Sequence, residues 1–210
     1  MKIVLTALLL NPFIFAGGSI LRFDHQLTAS LQGNNSNAVM DYSIETIALS
    51  TPFIEYGWAF SLWHGNDFQK RTAEMTTSAM LWSEITALLL KYAIKRDRPK
   101  RNKYTPRLWN TRITPSFPSG HVTASAAFST VMGTRYPNLA VPLTAYTLIS
   151  AYSQIYVGNH YVSDVVGGIV LGYITGRLVV NKMTPSQNDS DSPQQIVILT
   201  IGIPLESKNK

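Results

Sequence analysis

The sequence predicts an all-α protein, a bundle of about six helices in a single domain. Apolar residues recur at helical spacing, most clearly in residues 72–96, where they fall at positions 75, 79, 82, 85 and 89. Similar segments follow one another as far as residue 181, without an internal repeat of the solenoid kind. The chain has 210 residues, of which 45% are hydrophobic. This is enough for one sizeable core and gives no indication of a second domain.

The helical segments can be placed in order along the chain. Residues 22–38 predict a short helix followed by an asparagine-rich loop. Glutamates interrupt the first three of the segments that follow, so no segment is a clean uncharged membrane span. Two interpretations therefore remain: a bundle packed mostly against itself and resting on a membrane surface, or a six-span membrane protein with unusually polar helices. The core segments cover residues 39–50, 52–64, 72–96, 120–134, 139–157 and 161–181.

The two ends of the chain differ from the predicted domain at residues 19–184. A positive start, an apolar stretch and small residues at Ala16 and Gly18 are typical of a secretory signal peptide over residues 1–18. The alternative is a first membrane helix that is retained. The polar composition of residues 185–195 predicts a flexible linker. In the tail, residues 196–210, the β-branched segment 196–205 predicts a short strand.

The charge distribution points to an anionic ligand. The net charge is +6, and eight of the 18 basic residues lie between Lys95 and Arg112. Such a positive focus attracts phosphates, nucleic acid or anionic lipid headgroups, although a solvated basic loop has the same composition. Because few aromatic residues are interleaved with the basic ones, nucleic-acid binding is not expected. The absence of cysteine excludes disulfides, thiolate catalysis and cysteine-based zinc sites.

A first short motif, Lys91-x6-Arg98-Pro99, places two cations about two helical turns apart. Pro99 is expected to end the helix at Arg98. Two cations on one side of a helix can hold a dianion, and the guanidinium fork suits phosphate oxygens. Basic residues near a helix C-terminus are also common without any ligand.

A second motif, Pro118-Ser119-Gly120-His121, precedes a run of small helix-compatible residues. Ser119 is a candidate helix cap, and Gly120 would let backbone N–H groups approach a ligand closely. Free N–H groups at a helix start bind anions, so His121 would lie beside an anion. An ordinary turn with a surface histidine is the alternative.

A third motif runs from Ser153-Gln154 to His160 and Asp164. A histidine and a carboxylate four residues apart are neighbours on a helix face. A carboxylate at one imidazole nitrogen fixes the tautomer and leaves the other nitrogen basic, as a nucleophilic histidine requires. A purely structural His–Asp pair is the alternative.

Together, the three motifs resemble those of the type 2 phosphatidic acid phosphatase (PAP2) superfamily, whose members include lipid phosphatases, bacterial class A acid phosphatases and vanadium haloperoxidases. The resemblance covers roughly residues 40–180 and implies the PAP2-type helical bundle. It implies that His160 is the nucleophile that becomes phosphorylated, that Asp164 orients it and that His121 is the general acid. It also implies that no metal or other cofactor is needed, because a fixed set of residues holds the phosphoryl oxygens: Lys91, Arg98, Ser119, Gly120 and the residue at position 154.

The chain departs from the family pattern at one position, because Gln154 stands where the family has arginine. The loss of a charge-assisted contact worth about 1.5–3 kcal/mol would slow the reaction by about 10- to 100-fold. Lys95 and Arg101 are neighbouring cations that could compensate.

The expected function is a metal-independent phosphatase outside the cytoplasm, in a bacterial periplasm and associated with the membrane or, alternatively, integral to the inner membrane. Its substrate would be a lipid phosphate or diphosphate, or a small soluble phosphomonoester. Gln154 motivates a second hypothesis, a weakened or inactive relative that binds phosphate headgroups at the cell envelope. A vanadium haloperoxidase is a third, disfavoured because those enzymes are generally much larger.

Overall fold

The computed structural model describes residues 18–33, 37–101 and 114–184. In these ranges the elements are all helical, which confirms the predicted all-α bundle. Residues 1–17 of the predicted signal peptide (1–18), the linker at 185–195 and the tail at 196–210, with its predicted strand at 196–205, lie outside the described residues. The helices are α1 (Gly18–Leu31), α2 (Ala38–Leu62), α3 (Asp67–Ile94), α4 (Gly120–Arg135), α5 (Ala140–Tyr156) and α6 (Val162–Met183), with a 3-10 turn at Pro137–Leu139 between α4 and α5.

Helix α2 is continuous where the sequence predicted two segments, 39–50 and 52–64. It runs for 25 residues with Pro52 inside it. A proline within a helix has no N–H to donate, so the carbonyl four residues earlier loses its helical partner. That carbonyl belongs to Ala48, and the side chain of Gln154 on α5 donates to it at 2.9 Å. A contact from a neighbouring helix therefore replaces the hydrogen bond that Pro52 removes.

Helix α4 lies at the centre of the bundle and packs against α3, α5 and α6. Its contact with α6 is close because α6 presents glycine to it. A Cβ atom placed on Gly172 would lie 2.2 Å from the backbone oxygen of Thr123. No other residue fits there without moving one of the helices, so this contact fixes α6, and with it the start of α6, relative to the start of α4.

The outer faces of several helices carry large apolar side chains. Phe53 on α2 is 80% exposed and Val141 on α5 is 81% exposed. Within the described residues, α6 is also long and apolar enough to cross a membrane, judged by length and composition. Extensive exposed apolar surface is typical of contact with a membrane or with another protein.

Candidate active site

The three motifs meet at one end of the bundle. The first lies at and beyond the C-terminus of α3, the second at the start of α4, and the third in the connection from α5 to α6. Direct hydrogen bonds join them: Arg98 donates to the carbonyl of Asn159 at 2.9 Å, and the Ser119 N–H donates to the carbonyl of Asp164 at 3.0 Å. Segments far apart in the sequence thus form one site.

The prediction that the two cations of the first motif share one helix face is wrong. Helix α3 ends at Ile94, four residues before Arg98, because Lys95 adopts the left-handed conformation with a φ of 54°. Lys91, in the last turn, is buried and donates from Nζ to the carbonyls of Pro115 and Ser116, at 2.8 and 3.2 Å. Its side chain therefore reaches the segment that leads into the second motif.

Arg98 reaches the site from the segment that follows α3. Its Nε donates to the carbonyl of Thr114 at 2.9 Å, and its Nη1 lies 3.3 Å from Nε2 of His160. The guanidinium thus flanks the imidazole nitrogen that the sequence assigned to nucleophilic attack. A cation at this position can hold a phosphoryl group while that nitrogen attacks.

Ser119 occupies the position before α4, as predicted, but its side chain does not cap the helix. The Ser119 Oγ is fully buried and has no hydrogen-bond partner among the described residues. A buried hydroxyl without a partner is costly, so this hydroxyl is available to donate a hydrogen bond to a bound anion. Gly120 begins α4 beside Lys91, whose Cε would lie 4.0 Å from a Cβ at that position. Lys91, the Ser119 hydroxyl and the first turn of α4 can therefore hold an anion together.

His160 and Asp164 are adjacent but are not on one helix face, because α6 begins only at Val162. His160 is buried, and its Nδ1 lies 3.6 Å from Oδ2 of Asp164, longer than a hydrogen bond. Asp164 is fully buried, and its Oδ2 accepts from the Ser116 hydroxyl and from the Tyr161 N–H, at 2.5 and 2.9 Å. The carboxylate is thus held beside the imidazole without bonding to it.

The charges around the two histidines favour their neutral forms. Burial lowers the pKa of His160 to about 4, and Arg98 and Lys91 act in the same direction against the opposing effect of Asp164. His121 is exposed in the first turn of α4, and partial desolvation, followed by the charges of Lys91 and Arg98, lowers its pKa. A neutral His160 has the free electron pair that a nucleophile needs.

Gln154 does not point its amide at an open anion site. It is 1% exposed, its Nε2 donates to Ala48, and its Oε1 accepts from the Asn159 side chain at 3.1 Å. The side-chain oxygen of Asn159 in turn accepts from Nη2 of Arg101 at 2.6 Å. Asn159 precedes His160, so Arg101 lies close to the site. Lys95, the other cation considered for compensation, is exposed at the end of α3.

Two residues that the motifs do not specify also belong to this region. Arg96 donates to Oδ1 of Asp164 at 2.6 Å and to Oδ2 of Asp24 at 2.7 Å. Arg96 lies in the basic stretch that the sequence singled out, but nothing in the sequence pattern marked Asp24 on α1. Across the described ranges, no cluster of three or more histidine and acidic side chains is arranged to hold a metal ion.

Known proteins share both sequence and fold with this chain. A family model described as the PAP2 superfamily matches residues 75–187, more than half of the chain. The undecaprenyl-diphosphatase BcrC of Bacillus subtilis is 41% identical over 63 residues, which are 30% of this chain and 33% of that protein. The lipid A 1-phosphatase of Rhizobium etli is 33% identical over 101 residues, 45% of this chain and 43% of that protein. The decaprenylphosphoryl-5-phosphoribose phosphatase of Mycobacterium tuberculosis is 36% identical over 93 residues, 44% of this chain and 51% of that protein. These matches span about a third to a half of the length of the relatives.

Two solved structures have the same helical fold. The transmembrane PAP2 type phosphatidylglycerolphosphate phosphatase from Bacillus subtilis superposes with a TM-score of 0.67 at 18% identity, covering 86% of this chain and 94% of that chain. LpxE of Aquifex aeolicus superposes with a TM-score of 0.59 at 19% identity, covering 74% of this chain and 93% of that chain. At these identities the similarity concerns the fold, and it includes the bundle that brings the three motifs together.

Proposed function

The chain belongs to the PAP2 superfamily, and from this premise we propose that it is a metal-independent phosphatase in which His160 carries the phosphoryl group as a covalent intermediate. The resemblance that the three motifs indicated is thereby confirmed at the level of the family. The observation that best supports the proposed chemistry is the position of His160 Nε2, 3.3 Å from Nη1 of the Arg98 guanidinium.

In the proposed reaction, Nε2 of His160 attacks phosphorus, and the bond from phosphorus to the ester oxygen breaks. His121 in its protonated form, which the negative charge of the bound substrate favours, gives its proton to that leaving oxygen. Water then attacks the phosphohistidine, His121 takes its proton, and cleavage of the phosphorus–nitrogen bond releases phosphate and regenerates His160. Asp164 stabilises the positive charge that develops on the imidazole.

The charge for phosphoryl transfer comes from fixed groups around the anion. Lys91 and Arg98 supply positive charge, while the free hydroxyl of Ser119 and the N–H of Gly120 supply hydrogen bonds. Phosphoryl transfer depends mainly on positioning and on stabilisation of negative charge, which such a set can provide without a metal ion.

Arg101 takes over the role that arginine has at position 154 in the family. Gln154 is engaged on both sides of its amide, and Asn159 links it to the Arg101 guanidinium. We infer that the segment after α3, instead of α5, supplies this positive charge. This arrangement favours an active enzyme over the inactive headgroup-binding relative that Gln154 suggested.

The proposed substrate is a lipid phosphate or diphosphate presented at a membrane, outside the cytoplasm. The matched relatives are named for undecaprenyl diphosphate, lipid A and a decaprenylphosphoryl sugar phosphate. The exposed apolar faces and the span-like α6 suit an enzyme that works at or within a membrane. A small soluble phosphomonoester remains the alternative substrate.

Phosphate release by the purified protein, from a panel of lipid phosphates, diphosphates and soluble phosphomonoesters, tests this proposal. We expect turnover of a lipid substrate that EDTA leaves unchanged, vanadate inhibits and His160→Ala abolishes. His64→Ala is the matched control, since His64 is exposed just before α3, at the end opposite Lys91. Turnover by His160→Ala equal to that of the His64 control would refute the nucleophile. No release from any substrate would favour the headgroup-binding hypothesis.

A further inference from the structure

We propose that Asp24 of α1 is a positioning residue for the reaction, and that it acts on the Asp164–His160 pair through Arg96. This inference rests on the proposed phosphatase function. Asp24 lies outside the three motifs and outside the matched residues 75–187. Its carboxylate is nevertheless connected to that of Asp164 by a single side chain.

The connection is a buried row of alternating charges. The Nη2 of Arg96 lies 2.7 Å from Oδ2 of Asp24, and the Nη1 lies 2.6 Å from Oδ1 of Asp164. The exposed fractions of the three side chains are 17% for Arg96, 6% for Asp24 and 0% for Asp164. Ion pairs held this far from water are geometrically well defined, unlike pairs on an exposed surface.

Arg96 is held in place on further sides. Its Nη1 also donates to the Ser163 hydroxyl at 2.6 Å, and that hydroxyl donates to Oδ2 of Asp24 at 2.6 Å. Its guanidinium carbon stacks 4.0 Å from the centre of the Tyr161 ring. The guanidinium therefore has a fixed orientation, which it transmits to Asp164 as a fixed direction for Oδ1.

Helix α1 also fixes the start of α6 through the same residues. The Ser163 N–H donates to Oδ1 of Asp24 at 3.0 Å, and the Val162 N–H donates to the Thr28 hydroxyl at 3.1 Å. The first N–H groups of a helix have no partner within the helix. Here another helix supplies both acceptors, immediately before Asp164, so α1 sets the position of the first turn of α6.

The consequence for the reaction concerns the gap between Asp164 and His160. With Oδ1 tied to Arg96, Oδ2 faces Nδ1 of His160 at 3.6 Å. When the imidazole becomes positive on phosphorylation, this oxygen is the one that can stabilise it. Without the Asp24 carboxylate, Arg96 keeps its ion pair with Asp164, and we expect it to draw Asp164 away from His160. That change reduces the stabilisation of the transition state and leaves the anion site unaltered.

The test is a double-mutant cycle with Asp24→Asn and Arg96→Gln, assayed on the substrate that the wild type turns over. Loss of a residue that orients a metal ligand typically costs about 10- to 100-fold, and for a residue that orients a catalytic carboxylate we likewise expect kcat of Asp24→Asn to fall by about 10-fold or more with KM unchanged. In the Arg96→Gln background, the same change should alter kcat by less than about twofold, because the pathway is already broken. Equal losses in both backgrounds, or an unchanged kcat, would overturn the proposal.

Two further variants serve as a control and as an alternative to Asp24→Asn. Glu74→Gln removes the partly exposed Arg71–Glu74 ion pair near the opposite end of α3 and should leave kcat within about twofold of wild type. If Asp24→Asn does not fold, Ser163→Ala removes only the hydroxyl that Arg96 and Asp24 share. It should lower kcat at constant KM, and a wild-type kcat in a folded Ser163→Ala protein would contradict the proposal.

A readout without turnover separates this inference from the proposed function. Nitrogen NMR of the His160 ring reports its surroundings directly. The ring signals should shift in Asp24→Asn and stay unchanged in Glu74→Gln, even if the wild type hydrolyses nothing. Absence of turnover with a shifted signal would reject the proposed function alone, whereas an unshifted signal would reject the positioning role.

Discussion

Replacing Gln154 with leucine probes whether this residue serves the helix or the phosphate. Leucine has a similar volume but cannot donate to the Ala48 carbonyl, which Pro52 deprives of its helical partner. Because Gln154 is 1% exposed, water cannot easily take its place. The companion change is Pro52→Ala, which restores an N–H that can bond to Ala48 within α2.

The magnitude follows from the buried carbonyl. A buried acceptor left without a partner costs about 1–3 kcal/mol. For a chain of this length, each 1 kcal/mol lowers Tm by about 2–4 °C. We therefore expect Gln154→Leu to lower Tm by about 2–12 °C in the wild-type background. In the Pro52→Ala background the Ala48 carbonyl keeps a partner. Gln154→Leu should therefore lower Tm there only by the amount that its lost contact with Asn159 accounts for.

Thermal unfolding of the four proteins of this cycle, in one detergent or buffer, measures the coupling between the two positions. A smaller loss of Tm in the Pro52→Ala background supports the assigned role. If Gln154→Leu lowers Tm equally in both backgrounds, the hydrogen bond to Ala48 is not what keeps glutamine at this position.

Three other expectations concern charge, pH and packing. Arg101→Ala should lower kcat/KM by about 10- to 100-fold, because it removes a charge-assisted contact of about 1.5–3 kcal/mol. Replacement of the exposed neighbour, Lys100→Ala, should leave kcat/KM within about twofold of wild type, and equal kinetics for the two variants would exclude a special role for Arg101. On the acid side, kcat/KM should fall as the pH drops through about 4, the pKa of His160, since protonation removes the electron pair that attacks. An acid limb centred at the ordinary histidine pKa of 6.5 would contradict this assignment. Gly172→Ala should lower Tm by an amount equivalent to about 1–3 kcal/mol, because its Cβ would lie 2.2 Å from a backbone oxygen of α4. The control Gly57→Ala, whose Cβ would have no atom within 4 Å, should be neutral or slightly stabilising. Equal Tm values for the two variants would show that the α4–α6 contact is less tight than described.

The sequence predicted the helical class from local periodicity, and it indicated a shared site for the three motifs through their resemblance to the PAP2 superfamily. The apolar spacing within a helix does not depend on how the helices pack against one another. The motif residues are specific enough to indicate a shared site. Details of helix ends were not predictable in the same way. The left-handed conformation of Lys95 ends α3 early, and no glycine marks that position.

The residues whose contacts the sequence did not indicate are those whose partners come from distant segments. Gln154 is explained only when α5 lies against α2 and its amide meets the carbonyl freed by Pro52. Asp24 acquires a role only when α1 docks at the start of α6 and Arg96 bridges it to Asp164. A pattern of spacings within one chain contains no information on such pairings, so tertiary packing had to supply it.

Detection of the covalent intermediate tests the central proposal most directly. Wild-type protein would be mixed with a radiolabelled substrate that it turns over, quenched in alkali to preserve phosphohistidine, digested and analysed by mass spectrometry. We expect the label on the peptide that contains His160 and no label on the same peptide from His160→Ala, with the His64→Ala control labelled as the wild type. Label on a different residue, or normal turnover by His160→Ala, would contradict the role of His160 as the nucleophile.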